Sequence, residues 1–321
     1  MRKIIYKNKE DLEKNYIDCL NIDTETLNNQ WNTIFSDKTN FLSRLLYNLN
    51  VRDIILADYK TLVYLSFFCD NKNLPSQIND LFNYNNYSDS IHNFFNKNIE
   101  AIGLNSCPYC DTSFNGFFKT KEKDRSLFEL DHFFPKEQFP LFALSLYNFV
   151  PCCQFCNQRI KGRSTFSKFY NLDFNSPKEA VQKLLHSSPV SSKYNLEDSV
   201  YIRYIPNITT NKEIQGWHYS PLSQKNADLY KVFFDTDPTS QNATIIDSMK
   251  LEDRYNLLSI KMNGLYWLDL KKRYSKTYVK MFFDFFTKLA YTTSIEQIEN
   301  DIFHKDNKYN LLQKLKNDLL E

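Results

Sequence analysis

The chain has 321 residues, of which 42% are hydrophobic and 16% aromatic. That content supports a packed core and excludes a globally disordered chain, and the length allows one large domain or two to three small ones. A formal net charge of only +2 excludes a histone-like or generally basic binder.

The longest apolar stretches, residues 61–69 and 141–150, are too short or too interrupted to span a bilayer. The opening MRKIIYKNKEDLEKNY turns charged at once and lacks the hydrophobic region of a signal peptide. A soluble, cytoplasmic protein with no membrane partner is therefore expected.

Residues 1–100 are predicted to be a helical region. Thr24 starts a segment carrying Leu27, Trp31 and Ile34 at helical spacing, and further apolar faces follow over residues 41–49, 54–68 and 78–95. Residues 101–175 change character, with clustered cysteines, several prolines and short aromatic runs. This is the pattern of a small metal-supported module. Residues 176–321 are mixed and then helical, and are expected to pack on the module. Residues 200–205 (VYIRYI) alternate as a strand would. Residues 246–289 predict one or two long helices with Met249, Leu251, Tyr255, Leu258 and Met262 on one stripe. Two shorter helices should follow, the first capped by Thr293 or Ser294 and the second near residues 311–320. The fold class expected is α+β, mainly helical around a central module.

Two of the seven cysteines, Cys19 and Cys69, stand alone in apolar helical contexts and read as small buried hydrophobes. The others form two groups, Cys107/Cys110 and Cys152/Cys153/Cys156. In a reducing compartment such pairs point to metal or redox chemistry. Cys107-Pro-Tyr-Cys110 and Cys153-Gln-Phe-Cys156 are C-x-x-C knuckles, and two knuckles complete a tetrahedron that suits structural zinc. A thioredoxin-like redox pair would need a βαβ context that is not evident, and an iron–sulfur cluster has no other support. Cys152 with Cys156 is an alternative second pair. The gap between knuckles exceeds that of a simple zinc ribbon, so the knot must close around an insert. Charge concentrates there: residues 119–168 hold nine Lys/Arg against five Asp/Glu.

The insert and its flank read Glu129-Leu-Asp131-His132-Phe-Phe-Pro135-Lys136, then Tyr147-Asn148-Phe-Val-Pro151, then Cys156-Asn157-Gln-Arg159-Ile-Lys161-Gly162-Arg163. This order of C-x-x-C, Asp-His, Asn, C-x-x-C-Asn and a basic glycine-containing turn resembles the HNH (ββα-metal) endonuclease family. The resemblance spans residues 105–168. It implies metal-dependent phosphodiester hydrolysis, with His132 as general base and Asp131 and Asn157 as ligands of a catalytic Mg²⁺ or Mn²⁺. Asn148 would brace the loop carrying His132, and Cys107, Cys110, Cys153 and Cys156 would hold the structural zinc. Asn157 stands where the family name has its final His, which favours a harder ion. Arg159, Lys161, Arg163 and Lys136 would hold flanking phosphates, or else form a solvated face. Glu129 would be an outer-sphere group, with solvent exposure the favoured reading.

Residues 131–157 and the later LEDRYN are also similar to HNH proteins of anti-phage systems, among them the nuclease components of Septu-type systems, which act beside an ATPase partner. DNA is the substrate expected first. RNA cleavage in a toxin-like setting is the alternative, and a non-enzymatic zinc module binding nucleic acid or protein is the third reading. His92, His186, His218 and His304 have no partner motif and read as structural.

Overall fold

The structure is a computed structural model describing residues 4–37, 39–70, 72–120, 124–162, 200–206, 227–274, 276–288, 294–297, 299 and 312–320. It divides into two compact units, Met1–Glu197 and Asp198–Glu321. No helix among the described residues is long and apolar enough to cross a membrane.

The first unit opens with seven short α-helices: α1 (Lys9–Leu20), α2 (Thr24–Ile34), α3 (Phe41–Tyr47), α4 (Val51–Ile55), α5 (Tyr59–Ser66), α6 (Gln77–Leu81) and α7 (Ser88–Asn98). Asn and Asp residues set several of the boundaries, because their side chains satisfy amides that a helix start leaves unpaired. Asp23 accepts from the amides of Glu25 and Thr26 at the head of α2. Asn50 and Asp53 form a reciprocal capping box at α4, and Asp58 accepts from the Thr61 amide at 2.8 Å. That second cap splits the apolar run over 54–68 into two helices. The run over 78–95 is likewise divided into α6, a 3₁₀ turn Tyr84–Asn86 and α7. Trp31 is fully buried, packs edge-on against Phe35 and Phe82, and donates its indole N–H to the Leu46 carbonyl.

The middle segment supplies two antiparallel pairs. β1 (Phe117–Lys119) pairs with β2 (Asp124–Ser126), and β3 (Glu129–His132) pairs with β4 (Phe149–Cys152) in the register Glu129↔Cys152 to His132↔Phe149. A π-helical turn, Phe155–Lys161, follows β4 and ends at Gly162, whose φ of +53° is disfavoured for a residue bearing Cβ. The N-terminal helices pack directly on this segment. Tyr16 donates to the Leu144 carbonyl, Ser145 to the Ile54 carbonyl and Tyr147 to Glu13. Tyr59 packs on Phe133, and Phe95 on Phe149.

In the second unit β5 (Tyr201–Pro206) pairs antiparallel with β6 (Tyr230–Asp235), where the alternating sequence predicts a strand. The expected long helices are four: Gln241–Ser248, Leu251–Tyr255, Leu258–Arg273 and Lys276–Lys288. Ser294 accepts from the Gln297 amide, as the sequence suggests for a cap, and a last helix spans Gln313–Leu320. Thr293 lies outside the described residues. Asn256 ties helix to sheet by bonding both the amide and the carbonyl of Val232.

Gly264 lies in Leu258–Arg273 where the Tyr204 hydroxyl crosses the helix to bond the Ile260 and Lys261 carbonyls. A Cβ at 264 would sit 2.0 Å from that hydroxyl and 2.4 Å from the ring carbon bearing it. Gly264→Ala should therefore cost about 1–3 kcal/mol by overpacking. In a Tyr204→Ala background the same change should stabilise by about 1 kcal/mol, through helix propensity. Thermal unfolding of the four proteins of this cycle measures the reversal of sign.

Candidate functional site

The first knuckle is a tight turn. The Cys107 amide donates to the Ser113 carbonyl, and the Asp111 amide donates back to the Cys107 carbonyl, with Asp111 at φ +54°. Asp suits this left-handed position better than most residues, and Ser106 holds its carboxylate. The second knuckle begins the π-helical turn, where the Cys156 amide approaches the Cys153 sulfur at 3.5 Å. The four Sγ atoms of Cys107, Cys110, Cys153 and Cys156 lie within 4.8 Å of one another, and all four residues are buried. Cys110 and Cys153 are 3.9 Å apart, close to the about 3.8 Å that Zn–S bonds of about 2.3 Å give in a tetrahedron. Burial pushes the Cys107 thiol well up, and a bond from Cys107 lowers Cys153 to about 6. Four thiolates at this spacing repel, and a soft divalent cation removes the conflict. Zinc fits this donor set. Cys152 is buried on β4 opposite Glu129 and stands outside the cluster, so Cys153 is the partner of Cys156.

Asp131 is buried in the middle of β3. One carboxylate oxygen accepts from the Tyr109 hydroxyl at 2.7 Å, and the other is paired with the Lys161 ammonium. Lys161 is 2% exposed and also donates to the His132 carbonyl at 2.6 Å. Burial raises the Asp131 pKa, opposed by the Lys161 charge. The expected ligand of a hard cation is thus already engaged on both oxygens, and its cation is the protein's own. A Mg²⁺ or Mn²⁺ ion at Asp131 does not fit this arrangement. Lys161 corrects the sequence reading too: it neither faces solvent nor offers itself to a phosphate.

Glu129 is also placed differently from its expected exposure. It is half-buried and accepts from the side-chain amides of Asn157, Nδ2 at 2.9 Å, and Gln158, Nε2 at 2.6 Å. Glu129 and Asp131 share one face of β3, which the π-helical turn covers through Asn157, Gln158 and Lys161.

His132 falls on the opposite face. Its Nε2 lies 3.0 Å from the Ala143 carbonyl oxygen. A carbonyl only accepts, so Nε2 carries the hydrogen and Nδ1 keeps the lone pair. The ring is held edge-on by Tyr84 and tilted against Phe149, each at 4.8 Å. Burial first, then the Lys136 and Lys161 charges, lower its pKa to about 3. The fold therefore favours the neutral ring. This contribution to stability is complete above the ordinary value of 6.5 and is lost as pH falls towards 3. Asn148, fully buried, braces the loop after His132: its Oδ1 accepts from the Phe134 amide, and its Nδ2 donates to the Phe134 and Phe142 carbonyls.

Of the basic residues, Lys136 sits over the Tyr84 ring at 4.6 Å, on the His132 side, and Arg159 is exposed. Arg163 lies outside the described residues, as do His186, His218 and His304. The structure brings in groups that no motif marks. Tyr109 is one of the two residues between the cysteines of the first knuckle, Tyr84 comes from a turn between helices, and His92 on α7 is close enough to feel the Glu129 charge. Comparison with protein-family models, with curated proteins and with solved structures finds no match to this chain.

Metal analysis of purified protein should find one zinc per chain, lost in Cys107→Ser together with the folded module and retained in Cys152→Ala. Lys161→Met should destabilise by about 3–5 kcal/mol, because it leaves the Asp131 carboxylate buried without its cation. Adding Asp131→Asn should recover part of that loss in denaturant titration.

Proposed function

We propose that this chain is an HNH-type endonuclease, a phosphodiester hydrolase whose general base is His132. The observation that carries the reading is the hydrogen bond from His132 Nε2 to the Ala143 carbonyl. It leaves Nδ1 as the acceptor, on a strand pair whose far end runs into a four-cysteine cluster. In the proposed step Nδ1 takes a proton from water as the water oxygen bonds to phosphorus. The bond from phosphorus to the leaving oxygen breaks, and the proton passes on to that oxygen. The Ala143 carbonyl steadies the imidazolium that forms. A half-buried base held neutral needs a nearby anion to strengthen it, and the phosphodiester itself brings that charge. Lys136, whose ammonium lies over the Tyr84 ring on the same side, would meet a flanking phosphate. Zinc in the cysteine cluster would fix the geometry and take no part in the chemistry, since four protein ligands leave no open position.

DNA is the proposed substrate and RNA the alternative. The engaged Asp131 carboxylate favours a second reading, a zinc module that holds nucleic acid without cutting it. An anti-phage role beside an ATPase partner rests on the family resemblance alone. Co-expression of the chain with any neighbouring ATPase, scored for phage restriction, tests it.

Plasmid DNA and total RNA incubated separately with the protein across a series of divalent ions should show cleavage of one or both. His132→Ala should lower the rate by about 10²–10⁴-fold while remaining folded. With the ring already neutral, the rate should stay level between about pH 8 and 6, where an ordinary histidine base would begin to lose activity. Equal cleavage by His132→Ala removes the proposed role. No cleavage by a zinc-loaded protein that binds nucleic acid selects the second reading.

A further inference from the structure

The ribbon β1–β2 is not accounted for by the site just described. Its two faces differ. Phe117, itself 36% exposed, is opposite Ser126, and Ser126 donates to the Asn96 side chain of α7 at 2.6 Å, so the Ser126 end of this face meets the helices. Phe118 is opposite Arg125 on the other face. The Leu127 amide donates to the Gly116 carbonyl, and a Cβ at Gly116 would meet the Leu127 side chain, which places Leu127 on that same outer face.

This outer face is open. Phe118 is 49% exposed, Leu127 53%, and Phe114 at the root of the ribbon 52%, with Arg125 exposed among them. Exposed apolar groups on adjacent positions, not scattered singly, mark an interaction surface. The ribbon is also firmly rooted. Phe114 bridges to Ser106, next to the first cysteine, and Asn115 donates to the carbonyls of Ser106 and Pro151. Only Leu127 and Phe128 separate β2 from β3, which carries Asp131 and His132.

The charge indicates the occupant. Residues 119–125 (KTKEKDR) hold four Lys/Arg against two Asp/Glu, and Arg125 lies directly across from an exposed phenyl ring. Flat aromatic faces beside a guanidinium suit stacked, unpaired bases with a flanking phosphate. Among the described residues of β1 and β2 on this face the one charged donor is Arg125, beside the carbon of Phe118, so the face suits stacking more than the reading of base edges.

We infer that the outer face of the β1–β2 ribbon is a stacking platform for unpaired bases, delivering single-stranded or locally opened nucleic acid to the β3 site. This rests on the nucleic-acid reading above and names its substrate class. Binding is measured with the full chain carrying His132→Ala, so that cleavage does not interfere. Fluorescence anisotropy compares labelled single-stranded DNA, single-stranded RNA and a duplex of the same sequence. Single strands should bind more tightly than duplex. Phe118→Ala should weaken single-strand binding about 5- to 100-fold without changing thermal unfolding, and Phe118→Tyr should retain it. Arg125→Ala should reduce the salt dependence.

Unchanged affinity in Phe118→Ala, or duplex binding equal to or tighter than single-strand binding, overturns the inference. Cleavage by the wild-type chain with Phe118→Ala binding unaltered removes the platform and leaves the nuclease reading. Phe118-dependent binding without cleavage does the reverse.

Discussion

The middle of this molecule depends on bringing Cys107 and Cys110 against Cys153 and Cys156, sulfurs from segments some 43 residues apart. Strands of three or four residues have little stability alone, and a two-stranded pair is marginal in water even when longer. Holding the first knuckle against the start of the π-helical turn fixes β4, which leads into the second knuckle, and through it β3. Metal binding energy at such a cluster is folding energy. The helices of the first unit add the second half of the enclosure, through Tyr16, Tyr59 and Phe95.

Inside that enclosure several polar side chains are held by more than one partner. Asn148 makes three bonds to backbone, Asp131 is held from two sides, and Glu129 grips two amides. Buried polar groups of this kind destabilise when one partner is lost, and they define one arrangement when all are present. Asp131 is the hinge of the arrangement. Tyr109 reaches it from the first knuckle and Lys161 from the end of the π-helical turn that contains Cys156, so the carboxylate links the four-cysteine cluster to the backbone of His132.

Local chemistry was legible in the sequence, and long-range pairing was not. The knuckle spacing named the four sulfurs that cluster, and the alternation of VYIRYI named a strand. The bracing role of Asn148 followed from the resemblance and matches its three bonds. The helix breaks at Asp58 and near Tyr84 were missed because hydrophobic periodicity ran through them, and the caps outweighed it. Lys161 and Glu129 were misplaced for a different reason. Charged residues are usually solvated, and only the fold shows that Lys161 has a buried partner in Asp131 and Glu129 a half-buried one in Asn157. Nothing in one sequence links Tyr84 to His132 or Tyr109 to Asp131.

The ribbon β1–β2 hangs from a closed ring. Its base is pinned at Ser106, Asn115 and Leu127, and none of the cluster's sulfurs lies within it. The cost of closing a loop grows only with the logarithm of its length, about 0.6 kcal/mol for each doubling. A chain so fastened can lengthen, shorten or be exchanged at this point while the cysteine cluster and the strand pair beneath it stay as they are. The knot is then a socket as well as a clamp, and the segment plugged into it can be exchanged without undoing the clamp.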